Sequence, residues 1–176
     1  MNLWGTSQVQ QYEKYLGLPP MVGRSKTNAF VEIKHKGCLK VQRWKGNMFS
    51  QGGNEVLLKA VALPIPSYAM SCFKLPSNLC SELESMMARF WWVQKHEERK
   101  VHWVSWKKMC QSKSVGGMSF KELDTFNMAL LAKQAWRLLQ NEESLFHKIF
   151  CARYFHNGNL LKASLGGNSS YAWRGI

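Results

Sequence analysis

The feature that most constrains the fold is an amphipathic stretch that begins at Pro76-Ser77. Its apolar side chains recur every three or four residues, which is the spacing of one face of an α-helix. They are Leu79, Cys80, Leu83, Met86, Met87, Phe90 and Trp91. A stripe of leucine, methionine and aromatic residues at this spacing is far more typical of a core contact than of a ligand site. The stretch therefore predicts a long helix with one face in a hydrophobic core.

Two further helices are predicted ahead of this stretch. Apolar residues at 30, 33, 38 and 41 follow a helical period, and Gly37 interrupts the pattern. Ser50 is a residue type that favours a helix start, and Pro64 and Pro66 cannot continue a helix. We therefore expect one helix around residues 30–41 and a second that begins at Ser50 and ends before the prolines.

Two helices are also predicted in the C-terminal third. Gly116-Gly117 breaks the chain ahead of a long periodic segment over residues 121–140. A second segment over residues 142–154 starts with Glu142 and Glu143, whose negative charge suits a helix N-terminus.

A short β-strand is predicted at the N-terminus. Residues 12–18 carry an apolar and aromatic run that stops at Pro19-Pro20, which is typical of a strand that ends in a rigid turn. The length of 176 residues and the 45% hydrophobic composition suit one compact domain, which at this size buries roughly 70% of its unfolded-chain surface. The expected fold class is therefore mainly α, with a short β remnant at the N-terminus.

The charge of the chain points to a polyanionic partner. Lys and Arg outnumber Asp and Glu by 24 to 11, which gives a net charge of +13. Nucleic acid is the first candidate for such a surface, and an anionic membrane surface is the second. A basic protein that is merely soluble is the third interpretation. No run approaches 18 uninterrupted apolar residues, so no membrane span is expected.

The cysteines and histidines predict neither disulfides nor a metal site. The five cysteines are odd in number and contain no Cys-x-x-Cys pair, as expected of reduced intracellular thiols that are mostly buried. The five histidines show no ligand spacing with them. We expect no cofactor. Met1 to Gln11 lacks the features of a targeting signal, and both a nuclear and a mitochondrial location stay open.

A series of ordered landmarks runs through most of the chain and resembles one protein family. The landmarks are Lys14-Tyr15-Leu16-Gly17-Leu18-Pro19, Gly23-Arg24-Ser25-Lys26, Trp44-Lys45-Gly46, Pro64-Ile65-Pro66, Phe90-Trp91-Trp92, Gly116-Gly117-Met118-Ser119-Phe120, Phe126-Asn127-Met128-Ala129-Leu130-Leu131 and Tyr171-Ala172-Trp173-Arg174. In this order they resemble the segment after the polymerase palm in the reverse transcriptases of plant LINE-type (non-LTR) retrotransposons. They also resemble the plant mitochondrial open reading frames derived from those enzymes.

This resemblance implies a division of the chain into three parts. Residues 1–22 are similar to the end of the palm, with a strand and turn like a primer grip. Residues 23–115 are similar to the helical thumb, which follows the minor groove of the duplex. Residues 116–176 are similar to a helical connection region that leads toward a zinc-binding region missing from this sequence.

The resemblance does not extend to catalysis. Two-metal nucleotidyl transfer requires carboxylates that hold Mg²⁺ at the attacking and leaving oxygens, and the family supplies them from palm aspartates. This chain has a single aspartate, Asp124, and no Asp-Asp pair. We therefore expect no catalytic residue and no polymerase activity from this chain. The expected partners are an RNA–DNA hybrid or RNA, and a full-length reverse transcriptase.

The candidate nucleic-acid-binding residues come from the resemblance and from charge. By resemblance, Tyr15, Leu16 and Gly17 take the primer-grip role and Lys59 a contact to the nucleic-acid backbone. Cations that neutralise phosphates are the other candidates: Arg24, Lys26, Lys40, Arg43, Lys45 and Lys59. Lysines on an amphipathic helix are more often its solvated face, and Trp44 is more often a core anchor than a base-stacking platform.

Two other functional hypotheses stay open at this point. In the first, the chain is a decayed gene fragment without a selected function. It would then fold poorly, and the apolar surface left exposed by the missing palm would favour aggregation. In the other it is a basic amphipathic module that binds a membrane surface or a protein.

Overall fold

The computed structural model describes residues 29–44, 49–92, 102–156, 160–167 and 169–176. Seven α-helices lie in these ranges: α1 (Val31–Trp44), α2 (Gln51–Leu57), α3 (Ser67–Cys72), α4 (Ser77–Trp92), α5 (Trp106–Met109), α6 (Leu123–Gln140) and α7 (Leu145–Tyr154). The π-helical turn Leu58–Ala62 continues α2, and short 3-10 turns lie at Lys113–Val115, Leu160–Lys162 and Trp173–Gly175. The described ranges contain no strand, which confirms the mainly α prediction. The strand predicted at residues 12–18 lies outside them.

The second helix begins and ends as predicted. The Ser50 hydroxyl accepts a hydrogen bond from the Gly53 backbone N–H at 3.2 Å and so caps α2. After Leu57 the chain widens into the π turn, in which the Leu63 N–H donates to the Leu58 carbonyl at 2.9 Å. Pro64 follows directly, and the helix ends there because proline lacks the N–H that the next turn needs.

The last two helices begin later than predicted. The Ser144 hydroxyl accepts from the His147 N–H at 3.1 Å, so α7 begins at Leu145 and the two glutamates precede it in a turn. The carboxylate of Glu84, on α4, accepts from the Leu123 N–H at 2.6 Å and so satisfies the first turn of α6. Burial raises the pKa of Glu84 above its ordinary value, although the Leu123 hydrogen bond opposes this shift.

Gly37 does not interrupt α1, contrary to the sequence interpretation. The helix is continuous through it, and Gly37 is buried against α4. A Cβ atom at this position would lie 3.1 Å from Met86 Cε and 3.4 Å from Leu83 Cδ2. The missing side chain therefore allows the two helices to approach closely, a packing role that periodicity alone does not reveal.

The main core is built around α4. This helix packs against α1, α2, α5 and α6. All its predicted core residues are buried except Met86, which is partly buried against the same cluster. Phe120 lies between two indoles, stacked on Trp106 at 5.1 Å between ring centroids and edge-on to Trp91 at 5.4 Å. The prediction of a long helix with one core face is confirmed.

The connector between α3 and α4 is held by a buried amide. Asn127, on α6, is 1% exposed. Its Oδ1 accepts from the Leu75 N–H at 2.8 Å, and its Nδ2 donates to the Met70 and Phe73 carbonyls at 2.8 and 2.9 Å. The Tyr171 hydroxyl donates to the Lys74 carbonyl from the other side. Polar backbone groups of a non-helical segment are thereby satisfied inside the core.

A second, smaller hydrophobic cluster lies at the C-terminal end. Its buried members are Leu138, Phe155 and Trp173. Tyr154 stacks on Trp173 with ring centroids 4.6 Å apart and planes 4° apart, and Phe150 lies 5.8 Å from the same indole. Helix α7 has no buried residue of its own. Aromatic contacts with Trp173 therefore join the C-terminal tail to α7, and Leu138 of α6 belongs to the same cluster.

None of the helices in the described ranges combines the length and the apolar composition that a membrane span requires.

Candidate nucleic-acid interface

Helix α1 carries a line of exposed cations, Lys36, Lys40 and Arg43, here called the α1 basic stripe. Positions 36, 40 and 43 project within about 60° of one another on a helix of 3.6 residues per turn. The core side of the same helix is formed by Ile33, Gly37 and Val41. The packing of that side fixes the direction in which the stripe points. The stripe is therefore a preoriented row of positive charge on a rigid element.

The length of the stripe along the helix axis can be compared with the spacing of base pairs in a duplex. Lys36 and Arg43 are separated by about 10 Å along the helix axis, which is about three base-pair steps of 3.4 Å. None of the three side chains pairs with a carboxylate of the described residues. On the same helix, Lys34 is different, because its ammonium lies 2.8 Å from Glu82. The unpaired charge of α1 is thus concentrated in the stripe.

Lys59 lies on a different element and is already engaged. It belongs to the π turn, is half-buried, and its ammonium lies 2.7 Å from the Glu55 carboxylate. Lys113 binds the same oxygen at 2.8 Å. Hydrogen bonds from Lys113 and then Lys59 hold the pKa of Glu55 below its ordinary value. A phosphate contact by Lys59 requires exchange of this partner.

The predicted site residues are divided by the structure as follows. Lys40 and Arg43 share one exposed face, and Lys59 lies on the π turn. Six candidates lie outside the described residues, so their placement stays a prediction: Tyr15, Leu16, Gly17, Arg24, Lys26 and Lys45. Trp44 packs on Phe90 with ring centroids 5.5 Å apart, as expected of a core anchor.

Sequence reasoning missed Lys36 and an exposed indole. Lys36 is one helical turn before Lys40, and this spacing is the signal that identifies it. Trp103 is 80% exposed, whereas Trp91 is buried. Trp103 lies ahead of α5, on which Lys107 and Lys108 are exposed. Exposed aromatic rings next to cations suit base stacking on single-stranded nucleic acid, but the sequence does not distinguish an exposed indole from a buried one.

The described residues contain no constellation for metal or thiol chemistry. No group of three His, Cys, Asp or Glu side chains in the described ranges is placed to hold a metal ion. Asp124 accepts a hydrogen bond from the Ser77 hydroxyl at 3.2 Å. The five cysteines all lie in these ranges and are free thiols. Burial raises the pKa of Cys80 to about 11 and that of Cys110 to about 12, so both are protonated and weakly nucleophilic at neutral pH.

Fold and surface together define a basic, α-helical protein with an exposed row of cations on α1. No protein-family model matches the sequence. An uncharacterised mitochondrial protein of Arabidopsis thaliana is 44% identical over 115 residues, which cover 65% of this chain and 75% of the relative. The chain belongs to the same family as that mitochondrial protein.

A longer plant protein is also similar. A putative ribonuclease H protein of Arabidopsis thaliana is 30% identical over 162 residues, which cover 90% of this chain. The match spans 26% of that relative, so the chain corresponds to about a quarter of its length.

Proposed function

We propose that this chain is a catalytically incomplete part of a non-LTR retrotransposon reverse transcriptase and that it retains a surface for an RNA–DNA duplex. The ordered sequence landmarks support this ancestry. The second relative carries ribonuclease H in its name, an activity defined on RNA–DNA hybrids. The mitochondrial name of the first relative favours a mitochondrial over a nuclear location.

The observation that carries the proposal is the α1 basic stripe. Three cations without carboxylate partners among the described residues lie on one face of a rigid helix. Each phosphate that such a cation neutralises releases a condensed counterion, and the log–log slope of affinity against salt steepens by about 0.9 per contact on a duplex. The stripe alone therefore accounts for a slope of about −2.7.

The same proposal assigns no polymerase chemistry to this chain. Its single aspartate, Asp124, lies in the first turn of α6 and accepts a hydrogen bond from the Ser77 hydroxyl. Two-metal transfer requires paired carboxylates, and the sequence has no second aspartate to supply such a pair. The retained role is to hold a duplex, either alone or together with a full-length enzyme. Metal-dependent primer extension by the purified chain would overturn this part.

Fluorescence anisotropy of a labelled primer–template RNA–DNA hybrid tests the proposal. The titration is repeated from about 50 to 200 mM salt with single-stranded RNA as competitor. The key variant is Lys36→Glu/Lys40→Glu/Arg43→Glu. The control variant, Lys133→Glu/Arg137→Glu/Lys148→Glu, makes the same change of net charge on α6 and α7 at side chains that are also exposed.

The stripe variant is expected to lose hybrid affinity and to flatten the salt slope by about 2.7, whereas the control retains both. Equal losses in the two variants would mean that only net charge matters, and the proposed duplex surface would be rejected. Binding to anionic liposomes in preference to the hybrid would favour a membrane-surface module instead. A purified chain that lacks a cooperative melting transition and binds neither ligand would favour a decayed gene fragment.

A further inference from the structure

The exposed side of α6 is apolar over three turns. Met128, Ala132, Trp136 and Leu139 project within about 80° on the helix, and all four are exposed. Trp136 is 59% exposed, which is unusual for so large an apolar side chain. The core of the molecule is contacted by a different face of the helix, which carries Asn127, Leu131 and Leu138. We call the exposed side the α6 apolar face.

This face continues into an open cavity in the C-terminal cluster. The cavity has a volume of about 390 Å³, and Ala135 and Leu139 of α6 form part of its wall. The opposite wall is also apolar and includes Leu160, Leu161, Ala163, Leu165, Trp173 and Ile176. Leu161 is 83% exposed at its edge. A continuous apolar surface of this kind marks an interaction site on a folded protein.

One edge of the face is basic. Lys133 and Arg137 project about 60° and 100° beyond Trp136 around the helix, and Arg174 belongs to the cavity wall. None of the three forms an ion pair with a carboxylate in the described ranges. The apolar face is therefore bordered by positive charge on one side.

This border argues against a second copy of the chain as the occupant. A two-fold contact brings the same patch of both copies together. For antiparallel α6 helices it places Lys133 and Arg137 of both copies on the same side of the contact. Each chain also carries a net charge of +13, so self-association would be opposed by repulsion between like charges.

We infer that the α6 apolar face binds an amphipathic α-helix whose apolar stripe is flanked by acidic residues. The apolar stripe of the partner covers Met128, Trp136 and Leu139 and inserts a side chain into the cavity, and its carboxylates meet Lys133 and Arg137. Helix-in-groove binding of this type reads apolar anchors spaced three and four residues apart. The inference does not depend on duplex binding, because it concerns a different face from the α1 basic stripe.

A display library of helical peptides provides the probe. Each peptide has a fixed leucine stripe at positions i, i+4, i+7 and i+11, and its flanking positions are randomised among Glu, Gln and Lys. Selection uses the full chain, and the affinities of selected peptides are then measured by fluorescence anisotropy. The protein variants are Trp136→Ser for the apolar anchor and Lys133→Glu/Arg137→Glu for the basic edge. Val56→Ser serves as the control, because Val56 is an exposed apolar side chain on α2.

Glu-rich flanks are expected in the selected peptides. The variant Lys133→Glu/Arg137→Glu should lower the affinity for these peptides about tenfold and should raise the affinity for Lys-flanked peptides. Trp136→Ser should weaken both, and Val56→Ser neither. The inference is overturned if no peptide is selected, if selected flanks show no charge preference, or if edge reversal leaves affinity unchanged. The stripe variant Lys36→Glu/Lys40→Glu/Arg43→Glu should still bind the peptides, which separates this result from the outcome of the duplex experiment.

Discussion

The main core and the C-terminal cluster are assembled in different ways. In the main core, α4 is covered on several sides by neighbouring helices, and even the connector at Leu75 has its backbone hydrogen bonds satisfied. The C-terminal cluster has three buried members and depends on aromatic contacts to Trp173. Leu145 and Ile149 of α7 are left in solvent.

This difference separates the roles of the two regions. A densely packed core holds α1 in place, so the α1 basic stripe has a fixed orientation on the surface. The C-terminal cluster has few buried members and leaves apolar side chains exposed, and some of these line the cavity beside α6. Local stability follows the number of buried apolar contacts, so we expect the C-terminal cluster to open before the main core.

The largest effect is expected from Asn127→Leu, which attacks the main core. The substitution removes three hydrogen bonds and leaves backbone groups of Met70, Phe73 and Leu75 without partners. A loss of about 4 kcal/mol in the free energy of unfolding is expected, measured by urea denaturation. Asn141→Leu, at an exposed position after α6, is the control. A loss below about 1 kcal/mol would show that the Asn127 hydrogen bonds contribute little to stability.

Trp173→Ala tests whether the C-terminal cluster opens separately. The substitution removes the ring on which Tyr154 and Phe155 stack, at a local cost of about 3 kcal/mol. Amide hydrogen exchange should accelerate in α7 and in the last turn of α6, whereas the amides of α4 keep their protection. Uniform acceleration across α4 and α7 would mean that the two regions form one cooperative unit.

Gly37→Leu addresses the contact that holds the α1 basic stripe. A side chain here would collide with Met86 and Leu83, and overpacking of this kind costs about 2 kcal/mol. Gly37→Ala is the milder comparison, because its Cβ meets only the ends of flexible side chains and alanine favours helix. Urea denaturation should rank leucine well below alanine. Equal stability of the two variants would mean that α1 and α4 separate easily.

The smallest effect is expected from Glu84→Gln and depends on pH. The raised pKa of Glu84 means that the folded state binds its proton more tightly than the unfolded state does. Its contribution to stability is therefore present below the unfolded pKa and is lost as pH rises through the folded value. Glutamine keeps an acceptor for the Leu123 N–H without the charge. The variant should gain stability relative to wild type as the pH rises from the ordinary carboxyl pKa of 4.5 toward neutrality, and a relative loss over this range would contradict the assignment.

The sequence predicted well what local chemistry determines. The amphipathic stripe identified α4, Ser50 identified the start of α2, and Pro64 identified the end of the π turn. Contacts between distant segments were beyond its reach. Gly37 resembles an interruption in the sequence, because its packing partners lie on α4. The contact of Lys113 with Glu55 likewise forms only on folding, whereas the Glu55–Lys59 pair has an i,i+4 spacing that the sequence does contain.

The candidate interface was predicted in part for the same reason. Lys40 and Arg43 share a face because both belong to one helix. The exposure of Trp103 and Trp136 could not be predicted from the sequence, because an indole has the same hydropathy in the core and at the surface. Asn127 looked like an ordinary polar position of a helix, although its amide is the main polar contact inside the core.

The α3–α4 connector also bears on the order in which the chain matures. Its partners Asn127 and Tyr171 follow it by about 50 and 97 residues. Contacts between residues so far apart in sequence form late, since a long loop must close first. On the ribosome, α3 and α4 emerge well before α6, so the carbonyls of Met70 and Phe73 must remain hydrated until the last third of the chain arrives. The arrival of α6 and Tyr171 is then the step that completes the hydrogen bonds of the main core.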